Sequence, residues 1–185
     1  MNLKLKFSYR LLLMSVLPAA LGAVSADSIV TMYKAGRYGK VCKEGMRRYY
    51  NGDKEPHFAA MVGMACARTD AINPLGVLQR SLVASPPLRS SATYFSTLVL
   101  AKRLLYQHFV DGTPIAPYVL PRYDHVLSIV FEHVRRGDYR KVGEGMIRID
   151  TPNGHMFVSV SDDDPPRLLV DEYNGAELRR RHWFQ

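Results

Sequence analysis

Residues 33–82 read YKAGRYGKVCKEGMRRYYNGDKEPHFAAMVGMACARTDAINPLGVLQRSL, and this stretch decides the fold. Just upstream, Ile29, Val30 and Tyr33 share one face of a short helix that Gly36 breaks. Val41, Met46 and Tyr49 then resume an apolar stripe near helical spacing, until the turn-forming run Asn51-Gly52-Asp53 stops it. Pro56 suits a first helical position, where its missing N–H would lack a partner anyway. A helix is therefore predicted over residues 56–69, burying Met61, Val62, Ala65 and Cys66. Asn73-Pro74 marks another break, and Leu75, Leu78, Leu82 and Val83 predict a further helix before Pro86-Pro87.

Downstream, residues 90–111 carry the strongest helical pattern, with Ser90 or Ser91 as cap and Ala92, Phe95, Leu98, Val99, Leu105 and Phe109 on the apolar side. Asp111-Gly112 ends it, and the three prolines of residues 112–121 predict an extended connector. A last helix follows, with Asp124 as its cap, Val126, Ile129, Val130, Phe131 and Val134 apolar, and Arg135-Arg136-Gly137 at its close.

Near Asp138 the period changes from helical to two. Residues 142–149, 156–161, 168–173 and 176–184 predict short strands, separated by Pro152-Asn153-Gly154, by residues 162–166 and by Asn174-Gly175. The pattern is an antiparallel β-meander of three or four strands, too small to stand without a cover for its apolar face. The fold class is α+β, with helical hairpins over residues 27–137 and the sheet over 138–185.

Residues 1–26 have the layout of a cleavable leader: Lys4, Lys6 and Arg10, then an apolar run from Leu11 to Leu21, then Ala23-Val24-Ser25-Ala26. The apolar run is short of the roughly 20 residues a membrane span needs, so cleavage after Ala26 and export are expected, with no transmembrane anchor left afterwards. The full chain carries a net charge of +8; without the leader, 22 basic residues face 17 acidic ones. The excess is scattered apart from Arg179-Arg180-Arg181, and the basic stripe with aromatic platforms that nucleic acid requires is missing.

Cys42 and Cys66 both survive cleavage, and an even pair in an oxidising compartment predicts a disulfide. Closing a loop of this size is worth about 3 kcal/mol in the chain-entropy picture.

The helical units repeat at about 33 residues: Ile29-Val30-x-x-Tyr33 aligns with Val62-Gly63-x-x-Cys66, Cys42 falls opposite Leu75, and Pro87 sits at a repeat boundary. Over roughly residues 28–110 the chain resembles degenerate tetratricopeptide or Sel1-type helical hairpins. Ala59 replaces the aromatic opening residue, and Leu75 the small residue of the second helix. In such stacks the second helix of one unit packs on the first helix of the next. The resemblance therefore implies that a Cys42–Cys66 bridge staples neighbouring hairpins, and that the concave face binds a partner.

Candidate chemistry is sparse. His125 and His133 lie two helical turns apart beside Glu132, wider than the four-residue step that brings two histidines onto one metal. Asp162-Asp163-Asp164 lacks the alternating ligands of a calcium loop. Neither a nucleophile-elbow serine nor a phosphate-binding glycine loop is present. The carboxylates of Glu44, Asp53 and Glu55, or of Asp171 and Glu172, are conceivable acid/base pairs whose separations sequence does not fix. Tyr50, Tyr94 and Tyr106 with Arg47, Arg48 and Arg122 have the composition of a protein-binding surface, tyrosine and arginine being favoured at hot spots. In the last strand, Leu178, Arg180, His182 and Phe184 oppose Arg179, Arg181 and Trp183. Trp183 and Phe184 are read as anchors, and the arginines as protection of a sheet edge or as contacts to an anionic envelope polymer.

The sequence thus points to an exported, periplasmic, non-enzymatic interaction or scaffold protein with a protein or peptide partner in the cell envelope and no cofactor. The alternatives are an envelope metal-binding protein or enzyme using His125, His133 and Glu132, and an envelope-polymer-binding module using the C-terminal sheet.

Overall fold

The computed structural model describes residues 25–185. Two short helices in contact with each other come first, α1 (Ala26–Lys34) and α2 (Tyr38–Tyr50). Ser25 caps α1, its hydroxyl accepting from the Ser28 amide at 3.2 Å. The rest of the expected leader lies outside the described residues.

Helix α3 (Pro56–Ala67) is the central element of the helical block. The Glu55 carboxylate caps it, accepting from the amides of His57 at 2.9 Å and Phe58 at 2.6 Å. Phe58, Ala59, Val62, Gly63, Ala65, Cys66 and Ala67 are all buried, so α3 is enclosed on more sides than an amphipathic stripe predicts. Met61, expected in the core, is only partly buried. Small residues permit this enclosure. A Cβ on Gly63 would stand 2.3 Å from the Phe95 ring, and one on Gly45 2.4 Å from a Val62 methyl. Backbone therefore meets side chain directly on both flanks of α3.

The expected partner helix of α3 is short: one α turn, α4 (Leu75–Leu78), runs into a 3-10 turn at Gln79–Ser81. The long helix α5 (Pro86–Asp111) begins four residues before the predicted start. Pro86 and Pro87 occupy its first turn rather than the preceding break, because that turn has no use for their missing amides. The hydroxyl of Ser91 bonds the Pro87 carbonyl instead of capping. Helix α6 (Val126–Arg136) is capped by His125, whose Nδ1 accepts from the Leu127 amide at 3.2 Å, and not by Asp124.

The sheet has five strands in sequence order, all antiparallel: β1 (Arg140–Gly143), β2 (Met146–Thr151), β3 (Gly154–Val160), β4 (Leu168–Asn174) and β5 (Glu177–Phe184). The segment predicted as one strand over 142–149 is divided by a turn at Glu144-Gly145, where Gly145 takes φ +65. That left-handed conformation is open to glycine at little cost, and period-two alternation alone does not reveal it.

One sheet face is buried by Ile147 and Ile149, Met156 and Val158, Leu168 and Val170, and His182 and Phe184, two from each of β2 to β5. Helix α5 lies against β3 and β4, and the Tyr106 hydroxyl donates to the Pro166 carbonyl at 3.1 Å. The helical block is therefore the cover the sheet needs, and both contribute to one hydrophobic core. Among the described residues no helix is long and apolar enough to cross a membrane.

Candidate functional site

Cys42 on α2 and Cys66 on α3 are bridged, with sulfurs 2.06 Å apart. The bridge ties the two pairs of helices together and agrees with an exported chain.

The six tyrosines and arginines expected to form one binding surface do not converge. Arg47 pairs with Glu44 at 2.9 Å, and Arg48 with Asp53 at 2.6 Å. Tyr50 is exposed beside Tyr49 at the end of α2. Tyr106 is committed to the sheet through Pro166, and Arg122 reaches Glu132 on α6. Only Tyr94, packed edge-on to Tyr123 with ring centroids 4.8 Å apart, lines the main cleft system described below.

The histidine alternative separates in the same way. His125 spends both ring nitrogens on backbone, Nδ1 on Leu127 and Nε2 against the Ala67 carbonyl at 3.2 Å. Burial lowers its pKa, which keeps the ring neutral. Glu132 is held by Arg135 first, then Arg122 and Arg136, which bring its carboxyl down to about 2. Among the described residues, no group of three His, Cys, Asp or Glu side chains is placed to hold a metal. The conceivable acid/base pairs also dissolve. Glu44 and Asp53 pair with arginines, Glu55 caps α3, and Asp171 points to the opposite sheet face from Glu172, bound twice by Arg181 at 2.7 Å. Asp163 accepts from Ser161 at 2.9 Å within its own turn.

The structure opens instead where the helices meet the ends of β3, β4 and β5. A groove of about 1070 Å³ runs between α6, through Ile129 and His133, and the β2–β3 and β4–β5 turns, through Gly154, Tyr173 and Arg179. Beside it lies a recess of about 520 Å³ lined by Arg68, Asp70, Tyr94, His125 and His182. Asp124, Ile129 and Glu172 line both, so groove and recess adjoin one another.

The recess is built on one long-range contact. Asp70, in the turn after α3 at φ +64, accepts from His182 Nδ1 at 2.9 Å and from Arg180 at 3.0 Å. Arg180 also donates to the Arg68 carbonyl at 3.0 Å. Burial pushes the Asp70 carboxyl up, but the His182 hydrogen bond and the charges of His182 and Arg180 outweigh it, leaving the pKa below the ordinary value. Burial also raises the Tyr94 phenol, assisted by Asp124 and Tyr123.

The alternation read in β5 holds where it matters: Arg180, His182 and Phe184 face the helices. Trp183 does not anchor the core. It is 53% exposed on the outer face, with Arg167 over its ring at 5.0 Å. Sequence reasoning did not find Asp70, Glu172, Arg180 and His182 as a group. The only signal was a histidine on the apolar row of β5, a position that calls for a buried polar partner. No known protein family, curated protein or solved structure matches the chain.

Proposed function

We propose that the protein is an exported, periplasmic, non-enzymatic binding protein that takes an extended peptide segment of an envelope protein in the groove between α6 and the sheet. The observation that carries this reading is the groove of about 1070 Å³ beside α6 and the recess that adjoins it at Asp124, Ile129 and Glu172. The lining mixes both charge signs with Tyr94 and Tyr173, a composition suited to polypeptide. His182 favours binding over catalysis: its Nε2 faces a carboxylate at 3.5 Å, not the hydroxyl or thiol that an activated nucleophile requires. In the helical block, α1–α2 and α3 with its short follower support a reading as tetratricopeptide-type hairpins stapled by the bridge. The test is a photo-crosslinking amino acid placed at Ile129 and, as a control, at Tyr50 on α2. Peptide adducts mapped by mass spectrometry at Ile129 alone support the reading; equal adducts at both sites, or none, contradict it.

The outer face of the sheet favours a second reading, a polymer-binding module. Arg148, Phe157, Asp171 and Arg181 stand side by side across β2 to β5. Retention on purified cell wall that Trp183→Ala abolishes supports this reading, and unchanged retention opposes it.

A further inference from the structure

We propose that a second cavity, formed where the 3-10 turn after α4 meets α5, binds the phosphate group of a hydroxyl-bearing phosphate ester, independently of the peptide groove. The cavity holds about 720 Å³, a size ordinary for a small-molecule site. Three cations line it, Arg80 from the 3-10 turn and Lys102 and Arg103 from α5, against one carboxylate, Asp111. Lys102 is 7% exposed and donates to the Asn73 side-chain oxygen and the Gln185 main-chain oxygen, so no carboxylate side chain partners it. A buried lysine ordinarily has such a partner. An ammonium has three donors, and these two contacts leave one for a ligand. Burial lowers the Lys102 pKa first and the positive charge of Arg103 second, so the two like charges stand close enough to repel. An anion beside them offsets both effects.

Arg80 and Arg103 carry the argument to phosphate. Their guanidiniums stay charged at any working pH. Elsewhere arginines are taken up by carboxylates: Arg47 by Glu44, Arg135 by Glu132 and Arg181 by Asp171. Arg80 and Arg103 form no hydrogen bond or ion pair among the described residues. Asp111 does not neutralise them. It follows Arg103 by eight residues of α5, about 12 Å along the axis at 1.5 Å per residue. Three cationic side chains against one carboxylate leave an excess of two positive charges, the counterpart of the roughly −2 that a phosphate monoester carries. Guanidiniums also match phosphate oxygens two at a time. On the same cavity wall, Gln107 and Asp111 offer acceptors to hydroxyl groups on the rest of the ester.

The test titrates the full exported chain, amide-labelled, with glycerol phosphate and, in parallel at equal ionic strength, with glycerol and with inorganic phosphate. Saturable NMR shifts at Gly76, Lys102 and Arg103 are expected with glycerol phosphate, weaker binding with inorganic phosphate, and no shifts with glycerol. Arg80→Gln and Arg103→Gln, both at exposed positions, each weaken binding by about tenfold, the loss of one charge-assisted hydrogen bond. Lys43→Gln removes the same charge from α2 and leaves binding unchanged. Sedimentation with phosphatidylglycerol vesicles distinguishes the source of the phosphate. Co-sedimentation that Arg103→Gln abolishes supports the site with a lipid head group as ligand; saturable binding of glycerol phosphate without co-sedimentation supports it with a soluble ester. Neither saturable shifts nor co-sedimentation overturns the proposal. An equal loss in Lys43→Gln also overturns it, because net charge alone would then account for the binding. Inorganic phosphate bound as tightly as glycerol phosphate overturns the assignment of an ester.

Discussion

His182 Nδ1 donates to the Asp70 carboxylate at 2.9 Å, joining the last strand to the end of α3 across 112 residues of chain. Sheet and helical block meet through this polar pair as well as through the shared core. Asp70→Ala leaves His182 Nδ1 without its acceptor inside the junction, and a buried donor left unsatisfied costs about 1–3 kcal/mol. Thermal unfolding of Asp70→Ala against Arg181→Ala, whose ion pair with Asp171 is on the open face, checks this. The outer-face variant is expected to lose no more than about 1 kcal/mol.

Gly63 meets Phe95 with no room for a methyl group, the built Cβ standing 2.3 Å from the ring. Phe95 is fully buried and has nowhere to swing. Gly63→Ala is therefore expected to destabilise the chain by about 1–3 kcal/mol, despite alanine's better helix propensity. Gly39→Ala, where nothing lies within 4 Å, is the matched control in α2 and is expected to be neutral or stabilising.

The disulfide closes a loop of sequence separation 24 between helices that are already packed. Cys42→Ser/Cys66→Ser is expected to lose about 3 kcal/mol, and reductant to lower the melting temperature of the wild type but not of the double variant.

Three arginines around Glu132 set one part of the acid response. The carboxyl titrates near 4.5 in the unfolded chain and at about 2 in the folded one. Its contribution is complete above pH 4.5 and is lost as pH falls from there toward 2. Asp70, also lowered, acts in the same direction below its ordinary value of 3.8. Glu132→Gln is expected to flatten the fall of melting temperature between pH 4.5 and 2 and to lower stability at neutral pH. A melting curve for the variant parallel to wild type across that range would contradict the assignment.

The helices and the meander were legible because their signals are local. The Asn51-Gly52 break, Pro56 and the period-two row ending at Phe184 each act within a few residues. The misreadings were local as well. Pro86-Pro87 looks like a break from sequence and is the first turn of α5, because proline is equally at home on either side of a helix start. Gly145 divides a strand through a conformation that alternation does not record. The cleft was not legible. Asp70 sits in a polar turn and Glu172 beside an arginine-rich strand, and nothing in either neighbourhood states that the fold brings both to His182. Tyrosine and arginine composition pointed elsewhere because Arg47, Arg48 and Arg122 have carboxylates close by in the fold to pair with.

The most direct test of the groove as the binding site is an NMR titration of the amide-labelled chain with a randomised pentapeptide pool. Shifts concentrated at Asp124, Ile129, Gly154, Glu172 and Asn174 are predicted. Shifts confined to Arg148, Arg181 and Trp183, or to Arg47 and Tyr50, would contradict the account and move the binding surface to the outer sheet face or to the end of α2.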